Sequence, residues 1–101
     1  MLDKLMAAQG KAAEIKKRLD TISVYGEAES GAIRITSTGN KTITAVEIKE
    51  EFYRQIDKEA LEELLLTAIN NALAQADQVS ATEMQAATKD MLGGLGGLFG
   101  S

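Results

Sequence analysis

The sequence lacks cysteine, histidine, proline and tryptophan, and aromatic residues make up only 4% of its 101 residues. Without cysteine there is no disulfide framework and no thiol nucleophile. Without histidine the usual catalytic triads, most zinc sites and the commonest general base are excluded as well. Acidic pairs such as Glu50-Glu51 are adjacent in sequence, so their side chains point apart rather than into one site. We therefore expect no enzyme activity, no metal, no cofactor and no small-molecule substrate.

Long apolar runs are also missing. No run approaches the roughly 18 residues that a membrane span requires. The first residues, Met-Leu-Asp-Lys-Leu-Met, mix charged with apolar side chains and lack the uninterrupted apolar region of a signal peptide. The expectation is a soluble cytoplasmic protein that does not bind a membrane.

Charge is distributed unevenly along the chain, whose net charge is −4. Residues 1–20 carry five bases and three acids, whereas residues 57–101 carry two bases and seven acids. An anionic partner would therefore be attracted to the first of these segments rather than to the second.

The first helix is predicted over residues 1–21. Apolar residues recur there at spacings of three and four, which is the pattern of a coiled-coil seam. Fewer than three heptads are marginal alone, so this helix needs a sheet or a partner to support it. The seam residues are Leu5, Ala8, Ala12, Ile15, Leu19 and Ile22.

Residues 22–49 show the alternation of β-strands, interrupted by turn residues. Gly39 is suited to the positive φ of a tight turn before the third strand. In the third strand Ile43 is out of phase with Val46 and the apolar residues after it. Either a bulge lies near residues 44–45 or Ile43 packs on the outer face. The pattern predicts a three-stranded antiparallel meander.

A second helix is predicted over residues 57–91, because no glycine or proline interrupts it and Asp57 suits its N-cap. At ~1.5 Å per residue it would be roughly 50 Å long, whereas strands of about six residues span only ~20 Å. The excess must bury its apolar stripe elsewhere, and a second copy of the chain could cover it. The stripe comprises Leu61, Leu65, Ala68, Ile69, Ala72, Ala76 and Val79.

The predicted organisation is one α+β domain over residues 1–92, with the order α-β-β-β-α. Residues 50–56 are predicted to be a connector, and the glycine-rich residues 93–101 a flexible tail. Three strands send the chain out at the end of the sheet opposite to its entry. The two long helices are therefore expected to become separate arms of an intertwined homodimer.

Four segments stand out in order along the chain, at residues 24–36, 39–40, 46–48 and 61–73. Their glycine spacing, followed by the Ala-x-Asn-x-Ala pattern of residues 68–72, resembles the YbaB/EbfC family over nearly the whole chain. The resemblance implies a bacterial nucleoid-associated protein that binds DNA as a homodimer, with helices that protrude like tweezers. It also implies a cytoplasmic location at the nucleoid and effects on nucleoid organisation and gene expression.

Because the chain as a whole is acidic, DNA binding must come from local bases that contact phosphates, with little reading of base sequence. The same bases could instead form a solvated helix face beside a dimer seam. The DNA-binding candidates are Lys4, Lys11, Lys16, Lys17 and Arg18, with Arg34 and Lys41 as second choices. The expected dimer-interface residues are Leu5, Ile15, Leu19, Leu65, Ile69 and Ala72.

A second class of function stays open at this point. Helix, strands and helix is also the order of a prefoldin-like protein-interaction module, which would not bind DNA. Such a module holds its two helices side by side, and this requires an even number of strands between them. Three strands argue against a prefoldin-like module. If residues 22–28 are not a strand, the number of strands is even and this module becomes possible again.

Overall fold

The computed structural model describes the backbone of residues 2–99 and the side chains of residues 10–87 and of Lys89. The elements are α1 (Leu2–Asp20), β1 (Ser23–Ala28), β2 (Ile33–Thr38), β3 (Ile43–Ile48), α2 (Glu50–Gln55) and α3 (Lys58–Phe99). The strands form one antiparallel sheet of order β1-β2-β3. This is the predicted α+β architecture with one short helix added. No helix in the described part of the chain is both long enough and apolar enough to cross a membrane.

The segment after β3 is helical, whereas the sequence predicted a connector. The first turn of α2 is acidic and its last turn carries Arg54, which suits the helix dipole at both ends. Arg54 Nη2 also lies 2.9 Å from Glu50 Oε1, one turn earlier. Such a pair stabilises a helix by only a few tenths of a kcal/mol, roughly, and the pattern was too short to predict from sequence.

The long helix α3 begins as predicted and ends later. Asp57 Oδ1 accepts a hydrogen bond from the amide of Ala60 at 2.9 Å, which confirms the predicted N-cap. The helix then continues to Phe99 rather than ending at Met91. Each glycine costs a helix about 1 kcal/mol relative to alanine but leaves its backbone hydrogen bond possible, as proline would not. The flexibility of residues 93–101 stays a prediction.

α3 lies directly against the inner face of β1 and β2. Ala68, Ala72 and Ala76 are fully buried there, as members of the predicted apolar stripe. A Cβ added to Gly26 would lie 2.2 Å from both the carbonyl oxygen of Ala68 and the amide nitrogen of Ala72. Only glycine leaves room for this contact between helix and strand backbones. The other buried residues of the inner face are Val24, Ala28, Ile33, Ile35 and Ser37.

The pairing of β2 with β3 contains a bulge. Its register shifts between Thr36 and Ser37. Their partners are Ala45 and Ile43, which leaves Thr44 as the extra residue. The bulge alternative is therefore correct, and it returns Ile43 to the inner face of the sheet. The outer-face position for Ile43 is wrong.

The turn between β2 and β3 closes the end of α1. The amide of Gly39 donates to the carbonyl oxygen of Leu19 at 3.0 Å. Asn40 Nδ2 donates to the carbonyl oxygen of Lys16 at 2.9 Å. These bonds fix the turn to the last turns of α1, where the Leu19 carbonyl oxygen also accepts from the amide of Ile22 at 3.2 Å. The positive φ of the turn is at Lys41 (66°), so the prediction for Gly39 is wrong. A Cβ on Gly39 would lie 3.1 Å from the Leu19 carbonyl oxygen, and this close packing against the end of α1 favours glycine.

After crossing the inner face, α3 packs against α1. Asn71 Nδ2 donates to the carbonyl oxygen of Glu27 in β1 at 3.1 Å, and twelve residues later Glu83 Oε2 lies 2.8 Å from Arg18 Nη1 in α1. A helix of 42 residues is about 60 Å long, so it can span the sheet and still extend along α1. The expectation that three strands would separate the two helices is wrong because α3 returns across the sheet. Part of its excess length is covered by the same chain.

Candidate functional site

The C-terminal half of α1 presents the most accessible bases of the predicted set. Lys16 and Lys17 are exposed, and neither forms an ion pair among the side chains that the structure describes. Lys11, one to two turns earlier, is half-buried. The side chains of Lys4 and Leu5 lie outside the described residues. Lys16 and Lys17 are therefore the described bases of α1 with the clearest capacity to contact an anion.

Two further predicted bases are paired with carboxylates of α3. Arg18 Nη1 lies 2.8 Å from Glu83 Oε2, and this contact is a hydrogen bond as well as an ion pair. Lys41 Nζ is paired with Asp77 Oδ1. Both basic side chains are still more than half exposed, at 58% for Arg18 and 52% for Lys41. Their positive charges are offset locally while they remain at the surface.

The hydrogen bonds of the β2–β3 turn bring these four bases to one end of the sheet. Asn40 Nδ2 donates to the backbone of α1 at Lys16 and also to Asp20 Oδ1, so the turn is fixed to the last turn of the helix. Lys41 follows Asn40 directly. We call the surface formed by Lys16, Lys17, Arg18 and Lys41 the basic corner. The acids that border it are Asp20, Asp77 and Glu83.

Arg34 does not belong to the basic corner. It lies on the outer face of the sheet, about 13 Å along β2 from Thr38, the last residue before the turn that contacts the end of α1. Its Nε is 3.6 Å from Glu27 Oε1, and its guanidinium is 4.1 Å from the centre of the Tyr25 ring. Glu47 is its partner in β3. Arg34 therefore stands apart from the basic corner, and a contact between it and DNA stays a prediction.

Most of the predicted dimer-interface residues are buried or half-buried within the single chain. Leu19 and Ala72 are buried, with 4% and 0% of their surface exposed. Leu65 and Ile69 are half-buried against the core of the same chain, and Ile15 is half-buried on α1. Whether any of them contacts a second copy stays a prediction.

Other apolar side chains are exposed instead, and the sequence analysis did not select them. Val46 is 53% exposed and Ile43 is 39% exposed, although both lie on the inner face of β3. The reason is that α3 packs mainly on β1 and β2 and leaves these two residues of β3 uncovered. Leu66 of α3 and Tyr53 of α2 are also exposed, at 61% and 59%. The alternation of β3 showed which side chains share a face but not whether a helix covers that face.

A cleft of about 300 Å³ lies between α1 and α3 beside the basic corner. Ala12 and Ile15 line it from α1, and Ser80 lines it from α3. Within the described residues, no three acidic side chains come close enough together to hold a metal ion. Beside this cleft, the described side chains of the basic corner present surface charge.

Comparison with known proteins adds an independent finding. A model of the YbaB/EbfC DNA-binding family matches residues 1–91. A nucleoid-associated protein of Thermus thermophilus is 38% identical over 102 residues, covering 99% of this chain and 92% of the relative. One of Agathobacter rectalis is 40% identical over 84 residues, covering 83% of this chain and 71% of the relative.

A crystal structure of an uncharacterized protein from Helicobacter pylori has a similar fold. Its TM-score is 0.64 at 14% sequence identity, and the match covers 77% of this chain and 90% of that one. At this identity the likeness concerns the fold alone. It supports the arrangement of sheet and helices described above.

Proposed function

The chain belongs to the YbaB/EbfC DNA-binding family, and on that premise we propose that it binds duplex DNA as a homodimer, through phosphate contacts and with little sequence specificity. Its curated relatives are named nucleoid-associated proteins. We place this protein at the nucleoid in the cytoplasm, where it would affect nucleoid organisation and gene expression.

Lys16 and Lys17 are exposed and form no ion pair among the described side chains, and this observation supports the assignment of the DNA site. A lysine ammonium is a compact charge that attracts phosphate without selecting a base. The net charge of −4 opposes DNA over long distances, but screening at physiological salt limits such effects to about 8 Å. Contacts made by bases at the surface can therefore outweigh acids that lie farther away.

The homodimer proposal is supported by the uncovered inner face of β3. We call the exposed apolar residues Ile43 and Val46 on the inner side of β3 the open β3 face. Exposed apolar patches and free edge strands are both sites at which chains associate. A second copy related by a two-fold axis would cover this face with the same residues of its own chain.

A protein-interaction module remains the second candidate, and one observation favours it. The pairing of α1 with α3 through Arg18 and Glu83 places the two helices side by side, as a prefoldin-like module requires. This removes the strand-number argument against that candidate. Family membership favours DNA binding instead, and a DNA titration distinguishes the two.

Neutralising the two unpaired lysines tests the site. We expect the double variant Lys16→Gln with Lys17→Gln to bind a labelled duplex at least about tenfold more weakly at low salt. The slope of log affinity against log salt concentration should become shallower by about one for each lost contact. Fluorescence anisotropy titrations measure both quantities. Lys49→Gln with Lys58→Gln is the matched control, because it removes the same charge at the far end of the sheet and the start of α3.

The comparison between these two variants decides the assignment. Equal weakening by both pairs would show that only total charge matters, and the site on α1 would be rejected. Wild-type protein that binds no duplex at low salt would reject the DNA-binding proposal itself.

A further inference from the structure

We propose that Asp77 and Glu83 of α3 compete with DNA phosphates for Lys41 and Arg18, and so set how tightly this protein binds DNA. The inference rests on the proposed DNA binding and adds an internal control of its strength. The basic corner then contains two kinds of base. Lys16 and Lys17 are available at once, whereas Arg18 and Lys41 must exchange a carboxylate of their own chain for a phosphate.

The Arg18–Glu83 pair is arranged for such competition. Glu83 is only 21% exposed, whereas Arg18 is 58% exposed, so the carboxylate faces α1 and the guanidinium remains reachable from solvent. The two groups meet at 2.8 Å in a charge-assisted hydrogen bond. A phosphate that approaches Arg18 therefore meets a group whose charge is already balanced by a second anion.

A second pair, Lys41–Asp77, lies six residues earlier on α3 and is open to solvent on both sides. Lys41 is 52% exposed and Asp77 is 60% exposed, so solvent and ligands reach both groups. Lys41 stands in the turn that Asn40 fixes to the end of α1, and its backbone position does not depend on Asp77. Loss of the carboxylate would leave the base in place and without its partner.

Both pairs are accessible enough to be exchanged, because Arg18, Lys41 and Asp77 are each more than half exposed. Only Glu83 is half-buried. Ion pairs between exposed side chains contribute little to stability, because water and salt screen them. A DNA phosphate presents the same charge and more acceptor oxygens, with many neighbouring phosphates that add to the attraction. The two α3 carboxylates therefore lower the affinity without abolishing it.

Neutralising the carboxylates tests the inference on the full-length chain. We expect Glu83→Gln and Asp77→Asn each to tighten binding to a labelled duplex by about two- to fivefold, the range within which an exposed ion pair can compete. The slope of log affinity against log salt concentration should become steeper by about one for each base that gains a phosphate contact. The controls are the single variants Glu59→Gln and Glu63→Gln, each of which removes the same single charge near the start of α3, away from the basic corner.

A double-mutant cycle separates release of a base from a general loss of negative charge. In the background of Arg18→Gln, the change Glu83→Gln should give no more than the effect of one single-charge control variant. A melting temperature within a few degrees of wild type would confirm that each variant is folded.

The outcomes distinguish the two proposals. Wild-type protein that binds DNA while Glu83→Gln and Asp77→Asn gain no more than the control would overturn the competition and leave the DNA function intact. An unchanged gain from Glu83→Gln in the Arg18→Gln background would overturn it as well. Absence of binding by wild type and all variants would overturn the proposed function, and with it this inference.

Discussion

Replacing Gly26 with alanine is expected to cost this protein about 3 kcal/mol or more of its free energy of unfolding, at the upper end of the usual cost of overpacking. The added Cβ would lie 2.2 Å from backbone atoms of Ala68 and Ala72, and a helix backbone cannot move aside as a flexible side chain can. α3 would have to lift from β1, which opens gaps along the buried alanines. The total free energy of unfolding of a small domain is only about 5–15 kcal/mol, so this loss would be a large fraction of it.

Urea denaturation measures this loss, and the chain supplies its own control. A Cβ added to Gly10 in α1 meets nothing within 4 Å among the described residues. Because alanine favours a helix over glycine by about 1 kcal/mol, Gly10→Ala should leave stability unchanged or raise it slightly. If Gly26→Ala were as stable as wild type, the direct contact of α3 with β1 would be contradicted.

The second large effect is expected at the open β3 face. Val46→Asp should convert the proposed homodimer to a monomer at micromolar concentration, with the dissociation constant raised by more than about 100-fold. The reason is that burying an unpaired carboxylate in an apolar interface costs several kcal/mol, roughly. Sedimentation velocity reports the change, since the single chain has a mass of 10.8 kDa.

The adjacent residue provides the control for this change. Ala45 pairs with Thr36 on the outer face of the sheet, so Ala45→Asp introduces the same charge one residue away and on the opposite side. We expect that variant to remain a dimer. Dissociation by both variants would indicate general destabilisation of β3, and a monomeric wild type would reject the homodimer proposal.

Repeating patterns made most of the fold predictable from the sequence. Alternation defined three strands, and the irregular phase of Ile43 led to the bulge at Thr44. The spacing of apolar residues defined the stripe of α3 that contains Ala68 and Ala72, and both are buried as expected. These features depend on neighbours within a few residues, and that information is local in the sequence.

The features that escaped prediction depend on contacts between distant residues. Arg18 and Glu83 are 65 positions apart, so no local spacing in the sequence predicts their pairing. The same return of α3 brought Asp77 to Lys41 and left Val46 uncovered. For the candidate site, the sequence identified the bases of α1 but not which of them are paired with acids.

The most direct test of DNA binding through phosphate contacts is the salt dependence of wild-type binding to a labelled duplex. With Lys16 and Lys17 contributing from both protomers, a plot of log affinity against log salt concentration should be linear, with a slope of about −3 to −4. Unrelated duplexes of equal length should bind within a few-fold of one another. A slope near zero, or no binding at low salt, would contradict the account.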